Sequence, residues 1–288
     1  MSKLKASTAM RRLVRRDKIF IRPGCHDALS ARMAAAAGFE AIGMSGYAVS
    51  VSLLGQPGVG LITMSETVRM CRYICNAVDI PVMVDPDIGY GGVNNVMRTV
   101  DEAIKAGAGG LFIEDQVDPK RCGHVAGKRL ISIGEGAAKI RAADKVRREL
   151  DEDFVIMART DGRGALDGSF QESLDRARAR AFTDAGADII FPEGLVSVEE
   201  IGAMVAATDV PISYNRTGVS PMLGLADLER LGVRMVANAT GAFKASTRAL
   251  VDYSVDYAAD HAADDAGQIG ATGTDFDLGL FLRPGGGI

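Results

Sequence analysis

The segment "VMVDPDIGYGGVNNVMRTVDEAIKAGAGGLFIED", residues 82–115, contains the unit from which the fold of this chain is predicted. It opens with a short apolar run that ends in Asp85 and Asp87, and it closes with a second apolar run that leads into Glu114. Between the two runs, apolar residues recur with the period of a helix, and Gly107 supplies a left-handed helix end. The segment therefore predicts a strand, a helix and a second, parallel strand.

The same alternation of an apolar run and a helical run occurs eight times along the chain. The predicted strands lie at residues 19–24, 41–45, 82–87, 110–115, 154–160, 189–194, 211–215 and 234–240. A Gly/Pro loop is predicted between the second strand and its helical run. The strands are apolar throughout, as is typical of strands covered on both faces. Eight such units in about 240 residues predict an α/β fold, a (β/α)8 TIM barrel over residues 1–262. A doubly wound open sheet is the alternative, but it usually has a glycine-rich phosphate loop after its first strand, where this chain has "RPGCHDALS" (22–30).

The composition predicts a soluble protein of a reducing compartment. Of the 288 residues, 47% are hydrophobic, but no run approaches the ~20 apolar residues that span a membrane, and no signal peptide is recognised. The four cysteines form no CxxC pair. The net charge of −4 argues against a nucleic-acid partner, and the basic run at residues 11–16 is interpreted as a solvated amphipathic start. We expect a cytoplasmic protein with neither a nucleic-acid nor a membrane partner.

Polar residues follow the predicted strands at the points where the strands end. In a barrel these ends lie on one face and carry the functional side chains. The candidates are Ser45, Gly46, Tyr47, Asp85, Asp87, Glu114, Asp115, Arg159, Asp161, Glu193, Asn215 and Asn238. Three carboxylates from adjacent strands need a counter-cation, and their hard oxygen atoms suit Mg²⁺, with Mn²⁺ as the alternative. Arg159 could then donate to a substrate carboxylate.

Each of these residues also has a structural interpretation. Asp85 and Asp87 could cap the following helix or bind backbone in the turn. Glu114 could form a buried ion pair with Arg159. The functional hypothesis rests on the whole set lying at one face of the barrel.

The segment "KRCGH", residues 120–124, follows the fourth predicted strand. By itself it is typical of a surface loop. Above a metal site, Cys122 could act as a covalent nucleophile with His124 or as an acid–base group. A zinc site is not predicted, because no second Cys/His pair has suitable spacing.

Four segments resemble those of the isocitrate lyase and phosphoenolpyruvate mutase superfamily, over residues 10 to 260. "VDPDIGYGGVNNVMRTV" (84–100) resembles its D-x-D-T-G-[YF]-G metal-binding segment, and "FIEDQVDPKRCGHVAGK" (112–128) resembles its E-D-Q-x-x-P-K-[RK]-C-G-H-x-x-G-K catalytic loop. "LLGQPGVGLITMSE" (53–66) and "IMARTDGR" (156–163) match two further segments. Within the superfamily, the chain resembles methylisocitrate lyase and 2,3-dimethylmalate lyase.

The resemblance implies the residues of an active site and an oligomeric assembly. It implies Mg²⁺ held by Asp87, with Asp85 and Glu114 helping, and it makes Cys122 the general acid. The predicted catalytic residues are Cys122, His124, Lys120 and Arg159. The predicted substrate-binding residues are Ser45, Gly46, Tyr47, Asp85, Gly123, Arg159, Glu193 and Asn215. A homotetramer with an end helix swapped between subunits is also implied. Residues 263–288 are predicted to form a C-terminal tail, whose "FDLGLFL" (276–282) could dock on a neighbouring subunit.

Three features depart from the superfamily's pattern. Ile88 replaces the threonine of the metal-binding segment, and Gly43 stands where many of the lyases have tyrosine. The loop at 215–221 is shortened. The last two departures bear on the substrate more than on the type of reaction.

The sequence thus predicts a Mg²⁺-dependent carbon–carbon lyase that cleaves a 2-hydroxy di- or tricarboxylate, of the 2-methylisocitrate or 2,3-dimethylmalate type, to a 2-oxo acid such as pyruvate. One alternative is an oxaloacetate decarboxylase or hydrolase, or a phosphonopyruvate-type enzyme, of the same superfamily. Another is a barrel that binds a carboxylate without catalysis.

Overall fold

The computed structural model describes residues 4–263 apart from residues 124 and 217, and apart from the side chains of residues 179–180 and 258–263. The predicted position of His124 and the predicted tail, beyond residue 263, therefore lie outside the described residues. Helix α10 extends the chain through Ala263, where the tail was predicted to begin.

Eight parallel strands form the barrel. Their bounds are β1 Phe20–Cys25, β2 Ile42–Met44, β3 Val82–Val84, β4 Gly110–Glu114, β5 Val155–Thr160, β6 Ile189–Pro192, β7 Ser213–Asn215 and β8 Met235–Asn238. The strands follow the order β6-β5-β4-β3-β2-β1-β8-β7. A single bridge between Ile190 and Ile212 joins β6 to β7. The predicted (β/α)8 barrel is confirmed and the open sheet is wrong, because β1 pairs with β8 and the bridge joins the two ends of the strand order.

Ten α-helices surround the strands in the part of the chain that is described. They are α1 Ala6–Arg15, α2 Ala28–Ala36, α3 Gly46–Leu54, α4 Met64–Ala77, α5 Val93–Lys105, α6 Ile133–Leu150, α7 Phe170–Ala177, α8 Val198–Ala206, α9 Leu225–Arg230 and α10 Gly241–Ala263. Capping boxes at Asp27, Thr63 and Ser132 start α2, α4 and α6. The sequence predicted only a loop after β2, whereas α3 begins there, with Ser45 as its N-cap.

Two layers of apolar side chains form the core. The outer layer lies between the strands and the helices. The inner layer lies inside the barrel and includes Met83, Phe112, Met157 and Phe191, and Met10 from α1 packs against it. The basic run at 11–16 is therefore not wholly solvated as predicted, because Arg11 is buried and forms an ion pair with Asp188.

No helix within the described residues combines the length and the apolar character needed to cross a membrane.

Candidate active site

The three predicted metal ligands converge where β3 and β4 end. One carboxylate oxygen from each of Asp85, Asp87 and Glu114 lies within 4.8 Å of the others, and the residues Asp87 and Glu114 are buried. The side chain of Asp85 is held by two backbone N–H donors, from Gly46 at 2.9 Å and from Asp87 at 3.2 Å. Asp87 itself has a φ of 53°, a left-handed conformation that is uncommon outside glycine and is typical of functional sites. The turn after β3 thus aims two carboxylates at the end of β4.

Lys120 supplies positive charge to these carboxylates. Its ammonium group forms an ion pair with Asp87 and lies 3.7 Å from Glu114 Oε1. Burial lowers the pKa of Lys120, but Glu114 and Asp87 outweigh that effect and raise it above its ordinary value. Burial raises the pKa of Glu114 to about 8, although Arg159 and Lys120 oppose the rise. The carboxylates therefore lie where a divalent cation would relieve their mutual repulsion.

Arg159 lies across the same site. Its guanidinium is 3.1 Å from Glu114 Oε1, 3.1 Å from Asp161 Oδ1 and 3.7 Å from Glu193 Oε2. The buried ion pair between Glu114 and Arg159, which was the structural interpretation of these two residues, is therefore present. Arg159 also lines the pocket that opens above these carboxylates, so the same residue is positioned to meet a ligand.

A pocket of about 390 Å³ opens above the carboxylates. Its lining includes the predicted residues Ser45, Tyr47, Asp85, Glu114, Lys120, Cys122, Gly123, Arg159, Glu193 and Asn215. Asn215 donates to Glu193 Oε2 at 3.2 Å. The other oxygens, Glu193 Oε1 and Asn215 Oδ1, are buried and have no hydrogen-bond partner among the described residues. These two acceptors therefore suit a ligand with a donor group, such as a hydroxyl.

The carboxylates fit the predicted cation. Among the described residues they form the one group of three acidic, cysteine or histidine side chains that could hold a metal. Carboxylate oxygens without nitrogen or sulfur ligands favour Mg²⁺ or Mn²⁺ over zinc or copper.

The sequence profile of the family described as phosphoenolpyruvate phosphomutase matches residues 10–257. The chain belongs to the phosphoenolpyruvate mutase family. The resemblance predicted from the four segments is thereby confirmed.

Members of the phosphoenolpyruvate mutase family with known activities align over most of the chain. The 2,3-dimethylmalate lyase of Eubacterium barkeri is 40% identical over 252 residues, which are 86% of this chain and 85% of that protein. The 2-methylisocitrate lyase of Aeropyrum pernix is 41% identical over 242 residues, 83% of this chain and 76% of that protein.

Solved structures of the family superimpose on the barrel. A crystal structure of 2,3-dimethylmalate lyase has a TM-score of 0.88 at 32% identity and covers 97% of this chain and 91% of its own. A structure of phosphonopyruvate hydrolase with oxalate and Mg²⁺ has a TM-score of 0.82 at 30% identity, with 96% of this chain and 95% of its own covered.

The segment that resembles the family's catalytic loop is anchored by two side chains absent from the predicted site. Gln116 accepts from the backbone N–H of Arg121 and donates to its carbonyl, both at 2.9 Å. Lys128 Nζ donates to the carbonyl of Gly123 at 2.6 Å and to Asp161 Oδ1 at 2.9 Å. Cys122 and Gly123 are thereby held at the edge of the pocket.

Asp161 was predicted as a strand-end residue but was given no role in the predicted site. Burial raises its pKa, but Arg159 and Lys128 together hold the pKa of Asp161 well below its usual range. Asp161 therefore stays ionised and couples Arg159 to the loop through Lys128. Its position two residues after Arg159, at the end of β5, was a signal for it.

Proposed function

We propose that this protein is a Mg²⁺-dependent carbon–carbon lyase that cleaves a 2-hydroxy di- or tricarboxylate to a 2-oxo acid and a second carboxylic acid. The observation that carries the proposal is one pocket lined both by the thiol-bearing residue Cys122 and by carboxylates that can hold a metal.

The reaction class rests on the relatives. The 2,3-dimethylmalate lyase and the 2-methylisocitrate lyase are both about 40% identical to the chain over most of its length. The chain is therefore a carbon–carbon lyase of this superfamily. Its substrate is proposed to be of the 2,3-dimethylmalate or 2-methylisocitrate type.

Asp85, Asp87 and Glu114 would hold the metal. When bound there, Mg²⁺ would lower the pKa of a hydroxyl group on the substrate, so that a base can take up the hydroxyl proton before the bond is cleaved. Support comes from the phosphonopyruvate hydrolase that was crystallised with oxalate and Mg²⁺.

The residues around the carboxylates would orient the substrate. Arg159 presents a planar, forked donor that suits a carboxylate. Ser45 and Gly46 begin α3, whose N-terminal N–H groups favour negative charge. Glu193 Oε1 and Asn215 Oδ1 are free acceptors for a substrate hydroxyl. Together these groups would hold the 2-hydroxy acid with its C2–C3 bond in a fixed direction.

Cys122 is proposed to complete the reaction. Cleavage of the C2–C3 bond turns the hydroxyl carbon into a carbonyl and leaves the bonding electron pair on C3. The Cys122 thiol then donates its proton to C3, which yields the second carboxylic acid. His124 is proposed to support Cys122 in this step.

The proposal is tested by incubating purified protein with 2,3-dimethylmalate, 2-methylisocitrate, oxaloacetate or phosphonopyruvate, with Mg²⁺ or with EDTA. We expect 2-oxo acid release from at least one 2-hydroxy acid in Mg²⁺ only, and none from the Asp87→Asn variant. If the protein breaks down only oxaloacetate or only phosphonopyruvate in a metal-dependent reaction, the lyase proposal is wrong. The protein is then an oxaloacetate decarboxylase or hydrolase, or a phosphonopyruvate-type enzyme. Binding of Mg²⁺ and oxalate without any turnover would make the protein a non-catalytic barrel.

A further inference from the structure

Arg22 is a cation buried inside the barrel. It lies in β1, where it pairs in register with Ala237 of β8, and only 4% of the residue is exposed. Burial lowers the pKa of Arg22 to about 10, so the group keeps its charge at neutral pH. A buried charge is unfavourable unless a group of opposite charge compensates it. The surroundings of Arg22 therefore decide whether the protein itself compensates this charge.

No carboxylate of the described residues forms an ion pair with Arg22. Its Nε atom is buried without a hydrogen-bond partner in the described part of the chain. Asp85 is near enough to favour the charged form, but its oxygens lie more than 4 Å from the guanidinium nitrogens. Other buried cations around the site differ in this respect, since Lys120, Lys128 and Arg159 are all paired with carboxylates. The charge of Arg22 is thus left for a ligand to compensate.

Gly43 of β2 provides the space that the guanidinium occupies. A Cβ atom at residue 43 would lie 1.8 Å from Arg22 Nη1 and 2.9 Å from Cζ, so a larger residue would displace the arginine. Gly43 is also one of the departures from the superfamily's sequence pattern. The two residues therefore form a pair, in which the small residue of one strand admits the cation of the neighbouring strand.

A small cavity lies between Arg22 and the pocket above the carboxylates. It has a volume of about 40 Å³, and Phe112 and Phe191 from the interior of the barrel form part of its wall. A cavity of this size admits about three non-hydrogen atoms, given that a single water needs roughly 10–15 Å³. Four residues line both the cavity and the pocket, namely Ser45, Asp85, Arg159 and Asn215. A small group of a ligand in the pocket can therefore reach Arg22.

The proposed function determines which group of the substrate enters this cavity. In an acid of the 2,3-dimethylmalate or 2-methylisocitrate type, the hydroxyl-bearing carbon also carries C3, a carboxylate and a methyl group. C3 must face Cys122, which lines the pocket but not the cavity. The hydroxyl group must face the metal. Of the two remaining groups, the carboxylate compensates the charge of Arg22, whereas the methyl group would leave that charge unpaired.

We propose that Arg22 is a substrate-binding residue that pairs with the carboxylate on the hydroxyl-bearing carbon and still holds this carboxylate in the 2-oxo acid product. The inference rests on the proposed function, because that function directs C3 toward Cys122. A guanidinium presents its N–H groups as a planar fork that matches the two oxygens of a carboxylate. Arg159 lines the same cavity, so the carboxylate lies within reach of two guanidinium groups.

The test measures the affinity of the Mg²⁺-loaded full chain for oxalate, pyruvate and pyruvamide by calorimetry. Oxalate is titrated directly, and pyruvate and pyruvamide are titrated in competition with oxalate. Pyruvate and pyruvamide have the same planar shape, but pyruvamide has an uncharged amide in place of the carboxylate. The amide is also a weaker metal ligand, so the decisive quantity is the change in the ratio of the two affinities when Arg22 is replaced.

We expect Arg22→Met to lower the ratio of pyruvate affinity to pyruvamide affinity by about tenfold or more, and Arg22→Lys to restore part of it. The affinity for Mg²⁺ without a ligand should not fall, because the charge of Arg22 repels the cation. The Tm of the ligand-free protein should rise by about 2 °C, because a buried unpaired charge is removed. Arg230→Met, which changes an exposed arginine in α9, should leave the ratio and Tm unchanged.

The two possible failures are distinguishable. If the wild type binds oxalate but pyruvate does not displace it, or if the ratio is the same in Arg22→Met, Arg22 does not bind this carboxylate and the inference is wrong. A sharp fall of Tm or of Mg²⁺ affinity in Arg22→Met would also overturn it, because Arg22 would then be a structural residue. If the wild type binds no oxalate in Mg²⁺, the proposed metal site fails, and the inference fails with it.

Discussion

Cys122 differs from the other cysteines in its surroundings. Cys25 and Cys71 are buried in the core and Cys75 lies beside Cys71 in α4, whereas Cys122 lines the pocket. If Cys122 is the general acid, Cys122→Ser should lower kcat by about 10²- to 10⁴-fold, because the hydroxyl is a far weaker acid. Steady-state assays of 2-oxo acid release would measure this. Oxalate binding should persist, and Cys75→Ser should keep full activity. Undiminished turnover in Cys122→Ser would rule out the acid role.

Glu114 should make metal binding depend on pH. Burial raises its pKa to about 8, so below that pH the metal-free protein holds a proton that Mg²⁺ must displace. Affinity for Mg²⁺ should therefore rise with pH, by up to about tenfold per unit below pH 8, and level off above it. Titrations at pH 6.5, 7.5 and 8.5 would measure the dissociation constant, and buffers of different ionisation enthalpy would count the released protons. A constant affinity across this range would contradict the prediction.

The sequence identified the residues at strand ends but missed those whose role depends on side-chain direction. Asp85, Glu114 and Arg159 were predicted because parallel strands finish on one face whatever the packing. The buried side chain of Arg22, within β1, lines a small cavity together with Ser45 and Asp85. Nothing in "IFIRPG" tells whether that side chain points into the barrel or toward the helices. Lys128 was in the quoted loop, but its contact with Asp161 depends on the path of that loop through space.

At the level of elements, the buried cation of Lys128 is one of the two side chains that anchor the loop at residues 120–128. Lys128 connects the carbonyl of Gly123 to Asp161. Lys128→Met should release this connection, lower kcat by about tenfold and speed amide hydrogen exchange across the loop, because a buried hydrogen-bonded charge is lost. Mg²⁺ binding should be retained. Lys145→Met, at an exposed position of α6, is the matched control. Unchanged exchange in the loop would show that Lys128 does not anchor it.

Helices whose sequences carry strong capping and periodicity signals were predicted, whereas helix α3, whose sequence carries weak signals, was missed. Helices α4 and α6 begin with capping boxes and carry long periodic patterns. Helix α3 has nine residues, begins with Gly46 and contains two valines, and these residues have low helix propensity. Its formation depends on the Ser45 cap and on packing rather than on composition.

At the level of the whole molecule, helix α10 carries an uncovered apolar surface. Leu250, Val251, Tyr253 and Val255 are each more than half exposed. Such a surface is typical of a helix that packs against another subunit. It supports the prediction of a homotetramer with a swapped end helix, whose mass would be about four times 30.3 kDa.

Light scattering coupled to gel filtration would measure that mass. Val251→Asp should reduce the assembly, because it places a charge in the proposed interface. Val219→Asp makes the same change at an exposed valine outside α10 and should not. A monomeric wild type would contradict the tetramer.

The single bridge between β6 and β7 gives the barrel a side with few backbone hydrogen bonds, whereas β4 and β5 pair over five residues. Glu193 and Asn215 flank this side and hydrogen-bond across it. Variants that accept bulkier acids should arise most readily at this side of the barrel. Side-chain substitutions can widen the pocket there without breaking the hydrogen bonds of a β-ladder. Randomised libraries at residues 190–195 and 212–216 are accordingly where altered substrate range should appear with the smallest loss of thermal stability.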